Sequence, residues 1–391
     1  MDFVGLFGYT EDATTSHLSL ENTDFTGKFF VGGLTGYMMR SEISKSYATG
    51  KVIGNFYIGG LVGTMEESEI SESYAIGEVI GNADFVGGLV GYMSDSNLSE
   101  SYATVDVVGD ADVGGLIGRT LESNMSEGYA TGDVTGNDRV GGLIGSIEQS
   151  SNMSESYTTG KVDGNNHVGG LTGCIWQSEI SDSYATGNVG SPGWIGGFVG
   201  YIIDSDISNS YATGDAIGNN AGGFVGVAVA PFTITDSFYT GAPDSNDNDK
   251  GNFIPPSEVR NYVFATWDIS SEPDSSKIWY LSAGQAFPKL HWKPFTPSQS
   301  NSGSGTGSAT IVNNAPQNNV TQDNTSQNNE TPNNVTQDNT PQNNELQNNT
   351  PQNNNSTEQE SSNSLIWWGL GAVLLIAIIC GLAYVFYFKK K

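Results

Sequence analysis

Five acids recur at one position of a repeating pattern: Glu72, Glu100, Glu127, Glu155 and Asp182. Paired carboxylates can serve as general acid and base on glycosides, so these are the first residues to weigh as catalytic. Their regularity argues against it, because repetition alone produces a ladder of equivalent acids, whereas a catalytic site breaks a repeat at one place. A polysaccharide lyase would also want a basic residue beside a calcium site, and Arg40, Arg119, Arg139 and Arg260 fall at dissimilar repeat positions. His17, His167 and His291 lack the spacing of zinc ligands, and Cys174 and Cys380 are too far apart in character to form a disulfide, the second lying in an apolar run. Paired glycines suggest a phosphate loop, but such a loop needs Lys and Ser/Thr at the start of a helix, and no lysine follows any pair in that way. Asp244-Ser-Asn-Asp-Asn-Asp249 approaches a calcium loop, yet Asp249 stands where the sixth-position glycine belongs. The expectation is a protein that is not an enzyme, with no catalytic, cofactor or metal site, calcium at that loop being the one cofactor candidate.

One modification signal remains. Asn-x-Ser/Thr tripeptides occur at Asn97, Asn124 and Asn152 within the repeats, and at Asn319, Asn324, Asn329, Asn334, Asn348, Asn354 and Asn355 beyond them. They are candidate N-glycosylation acceptors.

The elements that carry these residues follow from a period. Paired glycines lie at Gly32-Gly33, Gly59-Gly60, Gly87-Gly88, Gly114-Gly115, Gly141-Gly142, Gly169-Gly170, Gly196-Gly197 and Gly222-Gly223, spaced 26 to 28 residues apart. A signature of the form Ser-x-Ile-Ser-x-Ser-Tyr-Ala-Thr-Gly keeps the same period, with its tyrosine read at Tyr47, Tyr74, Tyr102, Tyr129, Tyr157, Tyr184, Tyr211 and Tyr239. Each repeat holds about three short apolar segments parted by Gly, Asn, Asp and Ser, which are strand and turn signals. Helices are disfavoured, since the apolar spacing misses 3.6 and two adjacent glycines weaken a helix by about 1 kcal/mol each.

A single such repeat cannot bury a core, but stacked coils can, with like residues above like. The predicted fold is an all-β, parallel β-solenoid of about nine coils over residues 1–241. Leu34, Leu61, Leu89, Leu116, Leu143, Leu171, Phe198 and Phe224 would form one internal column, and the series from Ile43 to Ile234 a second. Val86 and Leu89 are both apolar although an odd number of residues separates them, so a bend or bulge at the double glycine is expected. The pattern leaves open which way the tyrosines face. A propeller, with blades of about 40 residues or more, fits less well.

Gly88-Leu89-Val90-Gly91 and Gly115-Leu116-Ile117-Gly118 resemble the GLUG-motif repeat family, named for Gly-Leu-any-Gly. Gly197-Phe198-Val199-Gly200 and Gly223-Phe224-Val225-Gly226 depart from it by Leu to Phe. The resemblance spans residues 3–241 and implies an adhesin-like bacterial or archaeal surface protein. Some such proteins carry peptidase domains, but no peptidase motif stands in this chain.

Beyond the repeats, residues 242–296 are dense in Trp and are expected to cap the last coil. Residues 297–362, rich in Asn, Gln and Thr with six acids and no Lys or Arg, read as a disordered stalk. Residues 365–388 are almost wholly apolar and, at about 36 Å as a helix, long enough to span a bilayer. Residues 389–391 are Lys-Lys-Lys, a basic tail that prefers the cytoplasmic side. A net charge of −28, from 43 acids against 15 Lys and Arg, excludes nucleic acid as a partner. Met1 enters a repeat almost at once, so a native precursor starting upstream with an export signal is expected. The reading is a single-pass, membrane-anchored cell-surface protein with an extracellular N-terminal part and surface glycans or other cell-surface proteins as partners. A polysaccharide-acting β-helix enzyme, lyase or glycoside hydrolase, is the alternative.

Overall fold

The computed structural model describes residues 2–241, 251–292 and, as backbone alone, the strand 310–313. The repeats form a parallel β-solenoid. The coil that begins at Val86 is typical. Val86–Gly87 joins one sheet, Val90–Ser94 and Asn97–Ser99 a second, and Tyr102–Val108 a third, before Ala111–Gly114 starts the next coil. Val86 pairs with Val113, Val90 with Ile117, Leu98 with Met125 and Tyr102 with Tyr129, so like residues stack one coil apart. Interior coils bond their strands to the coils on both sides, as Val86–Gly87 does to Ile58–Gly59 and Val113–Gly114.

The interior is a set of apolar columns. Leu34, Leu61, Leu89, Leu116, Leu143, Leu171, Phe198 and Phe224 are all fully buried, and Phe198 and Phe224 stack with centroids 4.7 Å apart. Ile43, Ile70, Leu98, Met125, Met153, Ile180 and Ile207 form the second column, while Ile234 at its end is only partly buried. The parity conflict between Val86 and Leu89 resolves as a corner: one sheet ends at Gly87 and the next begins at Val90, with Leu89 turned inward between them. Glycine is required there by space. A Cβ on Gly88 would lie 2.0 Å from the Gly115 carbonyl oxygen and 2.9 Å from the Ala103 Cβ.

The serines of the signature form two buried columns. The Ser68 amide donates to Ser96 Oγ at 3.0 Å, Ser96 to Ser123 Oγ at 3.1 Å, and the hydroxyls donate in turn to a carbonyl just before them, as Ser96 Oγ does to Ser94 at 2.6 Å and Ser151 Oγ to Glu148 at 2.6 Å. The Ser46, Ser73, Ser101 column repeats the arrangement and is interrupted once, at Gly128. Small hydroxyl side chains are therefore selected at strand ends where buried amides would otherwise lack acceptors. Among the described residues, three buried hydroxyls, those of Thr64, Thr120 and Ser146, are not satisfied, and of these Thr120 stands in an inward apolar column. Thr120 replaces methionine or isoleucine in the inward column between Met93 and Ile147, and its Oγ1 has no partner. Thr120→Val is expected to raise stability by about 1–2 kcal/mol, measured as a higher thermal midpoint; a fall would show that the hydroxyl has an acceptor.

The tyrosines face outward, because the alanines that follow them, such as Ala48, Ala75 and Ala103, take the inward places. Tyr47, Tyr74, Tyr102, Tyr129, Tyr157, Tyr184 and Tyr211 stack face to face at 4.6–5.0 Å. The eighth member is Phe238 rather than Tyr239: Tyr211 pairs with Phe238 and Ala212 with Tyr239, so Tyr239 points inward against Gly223. The sequence register slipped by one residue there because Ser-Phe-Tyr-Thr-Gly offers an aromatic at both places.

Among the described residues of the Trp-rich segment, Asn252–Phe253 caps the last coil by pairing with Phe238–Tyr239. The rest, including helix Val259–Thr266, runs along the outer side of the tyrosine column. Trp267 packs on Phe238, Trp279 on Tyr211 and Tyr184, and Trp292 on Tyr157 and Tyr129. Of residues 297–362 the structure describes only the strand Thr310–Asn313, which pairs antiparallel with Ala13–Ser16 of the first coil. Thr-Ile-Val is a β-branched run, and the first coil offers it an open edge. Residues 365–388 and 389–391 lie outside the described residues, and no described helix is long and apolar enough to cross a membrane.

Candidate functional site

The repeat changes chemical character along two columns of its outer surface. Two neighbouring columns flank the double-glycine corner. In the first, Phe30, Tyr57 and Phe85 stack at 4.8 Å, and Tyr37 and Tyr92 of the second meet them edge-on at 5.6 and 5.8 Å. Farther along, His167 stacks on Trp194 at 5.4 Å with Tyr201 edge-on at 5.2 Å. Between these aromatic stretches the first column holds Asp112 and Arg139, each directly before the valine that pairs with Val86 or its successors. The second holds Arg119, Ser146 and Cys174 at the rungs of Tyr92 and Tyr201.

These residues pair closely. Arg139 Nε donates to Asp112 Oδ1 at 2.7 Å and Nη2 to Oδ2 at 3.0 Å, a two-point pair with a carboxylate that is 1% exposed, while Nη1 reaches Asp138 at 2.5 Å. His167 Nδ1 lies 2.9 Å from Asp138. Arg119 Nη2 donates to Glu148 at 2.5 Å and its guanidinium sits 5.7 Å from the Phe85 ring centre. Hydrogen bonding to Asp112 holds the Arg139 guanidinium protonated against its burial. Burial pushes the Asp138 carboxyl up, but the His167 hydrogen bond and the Arg139 charge outweigh it and hold it below the usual carboxylate range. Burial first, then Glu148, pushes the Cys174 thiol up to about 12, which leaves no thiolate nucleophile near neutral pH. Chemically the cluster is a plug of paired charges. Sequence reasoning missed it by treating the arginines singly. The signal was present, since Arg139 precedes Val140 as Phe85 precedes Val86, and Arg119 occupies a tyrosine rung.

A groove runs along another face. Its two walls are a corner row that includes Glu67 and Asp95 and a strand row that includes Glu69 and Asn97, and its floor is the buried serine column. It measures about 710 Å³ near Arg40 and about 540 Å³ between Ser150 and Asp206. Asn97, Asn124 and Asn152 stand in the strand row, exposed, and form an amide ladder: Asn124 Nδ2 donates to Asn97 Oδ1 at 3.3 Å and Asn152 Nδ2 to Asn124 Oδ1 at 3.1 Å. Rungs lie about 4.8 Å apart, closer than two glycans can stand, so at most alternate asparagines of the three could carry one. Asn319, Asn324, Asn329, Asn334, Asn348, Asn354 and Asn355, and the Asp244–Asp249 loop, lie outside the described residues. Among the described residues, no group of three or more His, Cys, Asp or Glu is placed to hold a metal ion.

The recurrent acids turn out to be corner residues. Glu72, Glu100, Glu127, Glu155 and Asp182 all adopt left-handed backbone, with φ of 45° to 52°. They are not all on the surface: Asp182 is 8% exposed, beneath Trp279. Burial, together with the neighbouring acids of the column, pushes the Glu127 and Glu155 carboxyls up, and burial pushes Asp182 up against its hydrogen bonds. A carboxyl raised on folding binds its proton more tightly in the folded state, so stability falls as pH rises through the window just above the ordinary carboxylate range of about 4. The thermal midpoint is expected to rise as pH falls from 7 toward 5, and Glu127→Gln with Glu155→Gln should flatten that slope. An unchanged slope in the double variant would assign the effect to other groups.

A family model described as the GLUG motif matches residues 164–190 and 195–218. These stretches contain Gly169-Gly170-Leu171 with Tyr184, and Gly196-Gly197-Phe198 with Tyr211. No curated protein matches the chain. The matched stretches pair in register with each other, and through the same columns with the coils before them, so the residues that match the GLUG motif are coils of the parallel β-solenoid.

Proposed function

We propose that this solenoid is a binding rod held at the cell surface: a membrane-anchored protein that presents a repetitive acidic surface for adhesion, binding or envelope structure. The observation that carries the reading is the serine-floored groove, whose polar walls repeat coil after coil and offer one surface many times over. Residues 297–362 would serve as the stalk, about 45 Å in root-mean-square span if flexible, 365–388 as the membrane helix and Lys389–Lys391 as its cytoplasmic anchor. Surface glycans or surface proteins would be the partners. The test is protease added to intact cells of the native host. It should cut the stalk and release the solenoid; a stalk cut only after lysis would end the surface reading.

A polysaccharide-acting enzyme is the second reading, favoured by the break in the aromatic columns around Asp112 and Arg139. Against it, every strong acid there is paired with a guanidinium or imidazole. Release of reducing ends or unsaturated sugars from a polysaccharide, abolished by Asp112→Asn, would establish that reading.

A further inference from the structure

We propose that Trp194 is a sugar-binding platform for neutral glycans. The inference deepens the binding reading above and rests on it. Trp194 is 45% exposed, although it belongs to a column whose other rings are sandwiched between coils. One of its faces lies on His167, at 5.4 Å and 21°. His167 is itself fixed, by Asp138 at 2.9 Å and by Tyr201 against its edge, so the indole plane rests on a rigid support. On the other side the column carries no further ring, because Trp194 pairs with Asn220, whose side chain is exposed.

The turn that leads to this ring also departs from the repeat. Ser191-Pro192-Gly193-Trp194 stands where the preceding coil has Gly164-Asn165-Asn166-His167. Ser191 Oγ accepts from the Gly193 amide at 2.9 Å and donates to the Asn165 carbonyl at 3.0 Å, which locks the turn to the coil before it. A supported, half-exposed indole is a hydrophobic plate with a polar handle. A protein hot spot would need surrounding residues that exclude water, whereas the rungs on either side are polar: His167, bonded to Asp138, and Asn220. An apolar face with hydrogen-bonding groups at its rim matches a pyranose, which presents C–H groups on one face and hydroxyls around its edge. The net charge of −28 disfavours acidic sugars, so the ligand class is a neutral polysaccharide.

The test is electrophoresis of the full chain through native gels containing dextran, mannan or soluble starch, with alginate as the acidic comparison. The wild-type chain should be retarded by at least one neutral polymer and not by alginate. Trp194→Ala should weaken that retardation ten-fold or more with an unchanged thermal melt, and Trp194→Phe should keep part of it. Equal retardation of wild type and Trp194→Ala would overturn the platform while leaving the binding reading intact. If no neutral polymer retards the wild type, the platform falls; the binding reading falls with it only if the wild-type chain also fails to attach to cells. Attachment to cells that depends on Trp194 without any polysaccharide retardation would assign the ring to a protein partner and overturn the glycan assignment.

Discussion

Gly115→Ala is expected to split the solenoid at its middle, at a cost at the exceptional end for a single substitution, about 5 kcal/mol. A Cβ at this position would stand 2.2 Å from the Gly142 carbonyl oxygen and 2.9 Å from the Ala130 Cβ. Both neighbours are backbone or backbone-bound, so no side chain can rotate away. The coil-to-coil hydrogen bond from the Leu116 amide to the Leu143 carbonyl, 2.8 Å long, lies next to it, and moving the strands apart would lengthen every rung at that corner. Because each coil touches only its neighbours, a broken interface divides the rod into two weaker halves. Denaturant unfolding should therefore change from one transition to two, with fast hydrogen exchange at Leu116 and Leu143. Leu116→Ala, which removes a fully buried side chain and leaves the interface closed, should cost about 2–5 kcal/mol without dividing the transition. Gly128→Ala is the comparison for space alone. Its Cβ would meet only the ends of Leu116 and Met125 at 3.0 and 3.2 Å, which can move, so it should melt close to wild type. A single wild-type transition in Gly115→Ala would show that the corner has room to spare.

What the sequence makes legible is whatever repeats. The inward columns from Leu34 to Phe224 could be read because each copy carries the same residue at the same place, and stacking is the one arrangement that buries them all. The side taken by the tyrosines was less legible, since a strand alternates faces and either parity was open; the small residue after the tyrosine, alanine in most coils and Thr158 in one, decides it, because it packs beneath the glycine corner. Phe238 was misplaced by one residue for a local reason, two aromatics in a row. Two features were beyond the period altogether. The Asp112–Arg139 plug is a departure from a column that shows only when the coils are aligned rung by rung. The path of residues 251–292 depends on contacts such as that of Trp292 Nε1 with the Glu155 carbonyl, 2.8 Å apart in space and 137 positions apart in sequence, and no local pattern encodes it.

That path leads to the second large effect. Trp279→Ala is expected to detach the Trp-rich segment from the tyrosine column at a cost of about 3–5 kcal/mol, while the coils keep their own ladders. Trp279 is 1% exposed. Its ring lies 4.9 Å from Trp267 and 5.9 Å from Tyr211, and its indole N–H donates to Asp182 Oδ1 at 3.0 Å. The same segment takes the Tyr211 hydroxyl through the Pro288 carbonyl at 2.7 Å. Burial holds the ionisation of that hydroxyl well above the ordinary tyrosine value. Removing Trp279 empties the centre of this cluster and admits water to Tyr211, so tyrosine ionisation followed by ultraviolet absorbance should gain a residue titrating near the ordinary value of about 10. Limited proteolysis should cut between Gly251 and Trp292 first, before any loss of the β-solenoid signal. The order matters, because a strut that merely covers the column can leave without unfolding it, whereas a strut that holds the last coils together cannot. If solenoid and segment unfold together in Trp279→Ala, at one midpoint and with no early cleavage, then Trp267, Trp279 and Trp292 are part of the core that stabilises the last five coils rather than a separable covering.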